Sequence, residues 1–436
     1  MLYIAYAAYI SLGCPKNTVD TELMLNQLEK EYEITDDFDK ADVLIVNTCG
    51  FIRDAKEESL NAIYTLANIK AGTNKLLIVT GCLSQRYSDE LLKEIPEINV
   101  CMGVEQYMNI LHAIHRAKGG ERFAMCGRIN FAITGKRKLI TPKSVAYVKI
   151  AEGCNNRCSF CAIPMIRGSY RSVPMNIIED EVKQLVSEGI KEIIFIAEDT
   201  TRYGIDIYGK PVLDELVDKI AQIDGLLRLR LLYCYPDSLT KELIDTMSKH
   251  ENVCNYLDIP LQHGDAELLK SMNRKGNPLE YSDIISYAKS KGFIIRTTFI
   301  VGFPGETREQ FIHLVEYVKR MKFDRLGVFT YSPEEGTKGA QMPNQISESL
   351  KQKRKDELLQ VQADISYNNN QDRIGEIVEV LVERKENGNV EARSYGEAPD
   401  IDGLVILKDN ENIKIGEIYK AKIVSADTYD LYAEWM

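Results

Sequence analysis

A chain of 436 residues, 44% hydrophobic and 27% charged, has the composition of a folded globular protein and not of a disordered one. At roughly 150 residues per domain the length suggests about three domains. The net charge of -11 argues against a nucleic-acid binder and for something that meets a basic partner.

No apolar run approaches the roughly 20 residues of a membrane span. The opening MLYIAYAAYISLGC is apolar but lacks a basic leading region and runs straight into a motif, so it reads as a first strand and not as a secretory signal. Ten cysteines without such a signal point to thiols kept reduced in the cytosol.

Residues 1–125 repeat one pattern: an apolar strand, a cysteine at its end, then a helical stretch. The strands YIAYAAYISLGC, ADVLIVNTCG and KLLIVTGCL place Cys14, Cys49 and Cys82 in equivalent positions. Strand-helix alternation predicts a doubly wound parallel sheet, whose ligands sit outside the carboxyl ends of the strands. All three cysteines fall on that rim, although each alone reads as a small buried hydrophobe. Together they predict a three-thiolate cluster site. Cys101, Cys126, Cys234 and Cys254 share no such register and read as core or incidental. Asp20 and Glu22, and Arg53, Asp54 and Lys56, read as helix-start charges.

Residues 126–143 form a basic, turn-rich stretch, read as a solvated linker. Alternation resumes over 144–370 with six candidate strands: SVAYVKI, EIIFIAEDT, LLRLRLLYCY, NYLDIPLQHG, IIRTTFIVGFPGE and RLGVFTYS. Six strand-helix units suit a partial (β/α)6 barrel, with chemistry at the ends of the strands. After the first strand come Cys154, Cys158 and Cys161, at the spacing C-x3-C-x2-C. Three soft thiolates within eight residues suit iron-sulfur or zinc. Structural zinc wants a fourth protein ligand, and no second pair follows at zinc-finger distance. A four-iron cluster held by three cysteines keeps one iron open for a substrate or cofactor. Glu198 and Asp199 end the second strand, Gln262 and His263 the fourth, and Gly302, Gly305 and Glu306 follow the fifth. They outline a cofactor pocket, although VGFPGET reads equally as a strand-to-helix turn and His263 equally as structural. Arg296 is a candidate for pairing with a carboxylate. A helix near 348–368 leads into the tail.

Residues 371–436 read as five short strands, a small closed barrel of the kind that binds nucleic acid or protein. With 15 Asp and Glu against 8 Lys and Arg, this end suits a basic protein better than phosphates.

The segments SLGCPKN (11–17), VNTCGFI (46–52), TGCLSQRY (80–87), EGCNNRCSFCAIPMIRG (152–168), EDTTRYG (198–204), VGFPGET (301–307) and RSYGEAPDIDG (393–403) together resemble the methylthiotransferase family of the radical S-adenosylmethionine (SAM) superfamily, and within it the RimO type. The resemblance spans the whole chain. It implies an amino-terminal cluster domain, a radical SAM core and a carboxy-terminal TRAM domain. It also implies two 4Fe-4S clusters, on Cys14, Cys49 and Cys82 and on Cys154, Cys158 and Cys161, with SAM chelated by the open iron of the latter. Phe160 then lies near the adenine, and Glu198, Asp199 and Gln262 are expected around SAM. The implied reaction adds a methylthio group to the β carbon of an aspartate in the basic small-subunit ribosomal protein S-twelve, using two SAM molecules. A sulfur source and a low-potential electron donor such as flavodoxin or ferredoxin are implied partners. The sister MiaB-like type, which modifies a tRNA adenosine, shares the clusters but differs at CPKN and RSYGEAPDIDG. Two positions depart from the family: Glu198 stands where glutamine is usual, and Thr21 where serine is.

Overall fold

The computed structural model describes residues 4–128 and 134–436. The amino-terminal sheet has six parallel strands in the order Glu33–Ile34, Tyr6–Ser11, Val43–Thr48, Leu76–Gly81, Val100–Met102 and Phe123–Met125. One face packs Ala7, Ile45 and Ile78 against the helices Pro15–Leu28 and Ile110–Lys118. The other packs Ala8, Leu44 and Leu77 against Arg53–Lys70 and Cys82–Glu94. Burial on both faces is why the central strands read as unbroken apolar runs. The three short strands had no periodic signal of their own, being two or three residues long.

The next unit has six parallel strands in chain order: Val145–Lys149, Glu192–Ile196, Arg228–Leu231, Tyr256–Gln262, Ile294–Val301 and Arg325–Thr330. The two halves join through a bridge between Leu229 and Val253 and a hydrogen bond from the Cys234 amide to the Asp258 carbonyl at 2.8 Å. Among the described residues no ladder links the sixth strand to the first, so the barrel is partial, as expected. Its inward residues Tyr147, Ile194 and Tyr256 share one apolar cluster with Val19, Leu23 and Met24 of the first helix. The amino-terminal unit thus packs its first helix against the first barrel strand.

The basic stretch is solvated in part, with Lys136 and Lys143 exposed, but one of its side chains is held inside. Residues 129–133 lie outside the described residues, but Arg137 is buried and pairs with Glu22 at 2.7 Å and Glu181 at 3.0 Å. The Ile140 amide also donates to Glu22, at 3.0 Å. Glu22 is therefore no helix-start charge: it anchors the connection from inside.

The long helix Glu348–Asp372 begins at a Ser347 cap and turns Lys351, Arg354 and Gln362 into the protein. It leads to a closed five-stranded barrel ordered Ile377–Glu386, Asn389–Arg393, Val405–Lys408, Leu431–Trp435, Ile418–Ala426. The segment 393–403 leaves this barrel and seals the amino-terminal ends of the central strands. Arg393 reaches Glu192 at 2.8 Å and Glu383 at 2.6 Å. Arg230 meets Glu192 at 2.8 Å and donates to the Tyr395 carbonyl at 2.8 Å, and Tyr256 donates to Asp402 at 2.6 Å. Arg296 pairs with Asp258 at 2.9 Å and lies 3.5 Å from Asp402, so its role is in this dock. No helix is long and apolar enough to cross a membrane among the described residues.

Candidate active site

Register brings the first three cysteines together. Ser11 pairs with Asn47 and Asn47 with Thr80, so three adjacent strands end level, and Cys14, Cys49 and Cys82 follow each end within three residues. The loops approach closely because glycines let them. Gly81 has φ +98°, and a β carbon there would meet the Asn47 Oδ1 at 2.4 Å and the Thr48 carbonyl at 2.5 Å. A β carbon on Gly13 would stand 3.0 Å from that of Cys49. Buried Asn17 staples the rim, donating to the Leu12 carbonyl at 2.9 Å and the Thr48 carbonyl at 3.0 Å.

The second three sit in the loop after the first barrel strand. The Cys154 amide donates to the Gly168 carbonyl at 3.1 Å, and that of Cys161 to the Cys158 carbonyl at 3.0 Å. Ser159 docks on the far side of the barrel, its amide on the Met272 carbonyl at 2.9 Å and its hydroxyl on the Ser271 carbonyl at 2.9 Å. Arg274 places Nη1 3.9 Å from the Cys158 Sγ. Phe160 is half-buried against the barrel core.

The two loops meet. Cys82 packs in one cluster with Ala162, the neighbour of Cys161, and with Ile166. Arg167 crosses the junction, 3.8 Å from the Cys82 Sγ and 2.6 Å from the Asn17 Oδ1. It pairs with Asp20 at 2.9 Å and Glu152 at 2.7 Å, and Lys149 binds the same two carboxylates at 2.6 and 2.8 Å. Asp20 therefore belongs to a buried ion network and not to helix capping. Lys16 is buried, over the Tyr233 ring at 4.1 Å. Burial lowers the Lys16 pKa, but Cys14, Tyr233 and Glu198 outweigh it and the net shift is upward.

Of the pocket candidates, Glu198 is the most telling. Its carboxyl oxygens are buried with no hydrogen-bond partner, and Arg167 Nε stands 3.7 Å away. Burial, then repulsion from Glu152, pushes its pKa up to about 7. A buried orphan carboxylate is costly unless a ligand completes it. Gln262 ends its strand at φ +72°, a conformation rare outside glycine that clusters at functional sites. Asp199 accepts from Asn156 at 2.7 Å and from Thr201 at 2.7 Å, and so braces the cysteine loop through Asn156. His263 accepts from the Asp265 amide at 3.1 Å through Nδ1 and faces Glu306 at 3.5 Å. VGFPGET is a strand-to-helix turn, with Thr307 and Gln310 forming a capping box.

Cys82, Cys154 and Cys161 are not poised as nucleophiles. Burial pushes Cys82 and Cys154 up to about 12 and also raises Cys161, whereas a reactive cysteine needs a depressed pKa. Metal coordination removes the proton outright. Among the described residues no three His, Cys, Asp or Glu side chains converge on a single-ion site. Thiolates on a four-iron cluster each grip a different iron and need not converge so tightly. The donor set, the glycine-lined rim and the orphaned Glu198 fit clusters and a bound cofactor.

Family models match the chain in three places: Uncharacterized protein family UPF0004 over residues 7–103, the Radical SAM superfamily over 148–318 and the TRAM domain over 374–436. A Thermoanaerobacter protein called ribosomal protein uS12 methylthiotransferase RimO is 48% identical over 98% of this chain and 99% of its own. The protein of that name from Desulforamulus reducens is 48% identical, covering 98% of each chain. The chain belongs to the RimO family of radical SAM methylthiotransferases. Among solved structures, the radical SAM methyltransferase TsrM from Kitasatospora setae aligns with TM-score 0.53 at 15% identity, covering 76% of this chain and 77% of that one. OxsB, a cobalamin-dependent SAM radical enzyme, aligns with TM-score 0.51 at 10% identity over 82% of this chain and 56% of that one. At such identities the likeness concerns the fold.

Sequence reasoning had named the six cysteines and Glu198 but not Lys16, Asn17, Lys149, Asn156, Arg167 or Arg274. The only signal for Lys16, Asn17, Asn156 and Arg167 was their position inside the CPKN and EGCNNRCSFCAIPMIRG segments.

Proposed function

We propose that this methylthiotransferase acts on the β carbon of an aspartate in small-subunit ribosomal protein S-twelve, the protein for which its relatives are named. In this reading Cys154, Cys158 and Cys161 would hold a 4Fe-4S cluster that binds SAM, and Cys14, Cys49 and Cys82 a second, which would supply or carry the sulfur. The observation that carries it is the packing of Cys82 against Ala162 beside Cys161, which sets the two thiolate sets side by side. When bound, cluster and SAM supply homolytic chemistry at a C–H bond too weakly acidic for a general base. The chain's own residues bind, position and exclude water. Lys16 and Arg167 offset the thiolate charge, Asn156 and Asp199 hold the loop, Glu198 and Gln262 face SAM, and Phe160 lines the adenine. The acidic tail favours a basic protein substrate. A second SAM would supply the methyl group, a low-potential donor such as flavodoxin or ferredoxin the electrons, and the setting is the cytosol.

The test is anaerobic reconstitution with iron and sulfide, then incubation with SAM, reductant and the ribosomal protein, followed by mass spectrometry. A gain of one methylthio group on an aspartate is expected. Deoxyadenosine release without that gain, followed by modification of a tRNA, would replace this substrate with the nucleic-acid one.

A further inference from the structure

Residues 332–341, after the last barrel strand, touch both cysteine loops. Glu334 is only 1% exposed, yet its Oε2 receives two cations from the amino-terminal unit, Lys56 at 2.8 Å and Arg86 at 2.7 Å. Its Oε1 accepts from Ser332 at 2.9 Å, and the Ser332 hydroxyl in turn accepts from the Arg53 amide at 3.4 Å. Arg86 lies one helical turn after Cys82, and the same Nη1 donates to the carbonyl of Gly50, the neighbour of Cys49, at 2.9 Å. Its Nη2 donates to the Glu335 carbonyl at 3.1 Å. Glu334 thereby grips elements bearing two of the three amino-terminal cysteines.

The other half of the segment holds the barrel loop. The Gly339 amide donates to the carbonyl of Ser159, between Cys158 and Cys161, at 2.7 Å. Gly336 lies so close to Met165 that a β carbon there would stand 2.8 Å from its sulfur. Thr337 ties the halves together, its amide and hydroxyl both donating to the Glu334 carbonyl at 3.0 and 2.6 Å. A short strap thus runs from one cysteine set to the other.

We propose that Glu334 is a positioning residue which, through Arg86 and Lys56, sets the separation of the two cysteine sets, so that it governs sulfur transfer and not SAM cleavage. The proposal rests on the reading that both sets carry clusters. A carboxylate held by two charged donors is a strong, directional tie. Glutamine keeps its shape and loses its charge, and a displacement of about 1 Å at a reacting centre costs about a hundredfold in rate.

The experiment compares wild-type holoenzyme with Glu334→Gln, Glu334→Asp and Lys56→Met, after iron quantitation. Expected for Glu334→Gln is unchanged iron content, deoxyadenosine formation within about twofold, and at least about a tenfold fall in methylthiolated product per deoxyadenosine. Magnetic coupling between the two reduced clusters in electron paramagnetic resonance weakens in parallel, and Glu334→Asp restores part of both. Unchanged product ratio and unchanged coupling in Glu334→Gln overturn the proposal. If that variant loses iron, Lys56→Met, whose lysine is partly exposed, decides: a reduced ratio with full iron supports the strap, and a wild-type ratio refutes it. Wild-type enzyme that takes up iron for only one cluster refutes the functional reading itself, and iron content alone distinguishes that failure.

Discussion

Replacing Arg393 with methionine tests whether charge holds the tail beneath the barrel. Glu192 is fully buried, and burial alone would raise its pKa, yet Arg393, then Arg230 and Arg228, hold it down to about 2 from 4.5. A depression of that size corresponds to about 3 kcal/mol. Because the folded pKa is the lower one, this stabilisation is present above about pH 4.5 and is lost as pH falls toward about 2. Methionine keeps the bulk and removes the strongest of the three attractions, leaving Glu192 with Arg230 and Arg228. The expected loss is about 1–3 kcal/mol, a rise of roughly fivefold to 150-fold in opening of the dock. Hydrogen exchange read by mass spectrometry over residues 390–404, corrected for intrinsic rates between about pH 5 and 8, measures that opening. The amino-terminal sheet is the internal control. Equal protection of this segment in both proteins would refute the electrostatic account and leave shape alone as the tie.

Cys158→Ala is expected to abolish deoxyadenosine formation, while Cys49→Ala spares it and stops methylthiolation; product from the Cys49 variant would remove the second cluster assignment. Gly81→Ala puts a β carbon 2.4 Å from Asn47 Oδ1 at φ +98°, so iron per chain should fall to about half while the other cluster's signature persists. Full iron content in that variant would show that the rim adjusts. Glu198→Gln keeps the shape and should retain deoxyadenosine formation, whereas Glu198→Ala should weaken SAM binding by about tenfold, read as a shift in the SAM concentration dependence. Equal SAM dependence in both variants would exclude Glu198 from the cofactor pocket.

Much of the protein was legible because the signals were local or periodic. Unbroken apolar runs announced the parallel strands, and C-x3-C-x2-C announced one cysteine set within a single loop. The other set was legible only through topology: strand ends must line up in a parallel sheet, so cysteines 35 and 33 residues apart share one rim. What remained hidden was the partner of each charge. Asp20 and Glu22 read as helix-start charges, yet they lie in the middle of the helix Pro15–Leu28, which packs against the first barrel strand, and they find Lys149, Arg167 and Arg137 there. Asp199 and Glu198 are neighbours in sequence, but only their surroundings distinguish a brace from an unpartnered carboxylate.

The sequence by itself determined the three units, the two sets of three cysteines and the class of chemistry, because these depend on residue type and on spacing along the chain. Only the tertiary structure decided that the two cysteine loops adjoin, that Arg167 of one reaches Cys82 of the other and that the segment 393–403 closes the opposite end of the barrel. Ion pairs and packing between distant segments depend on how the units dock, and docking leaves no period in the sequence.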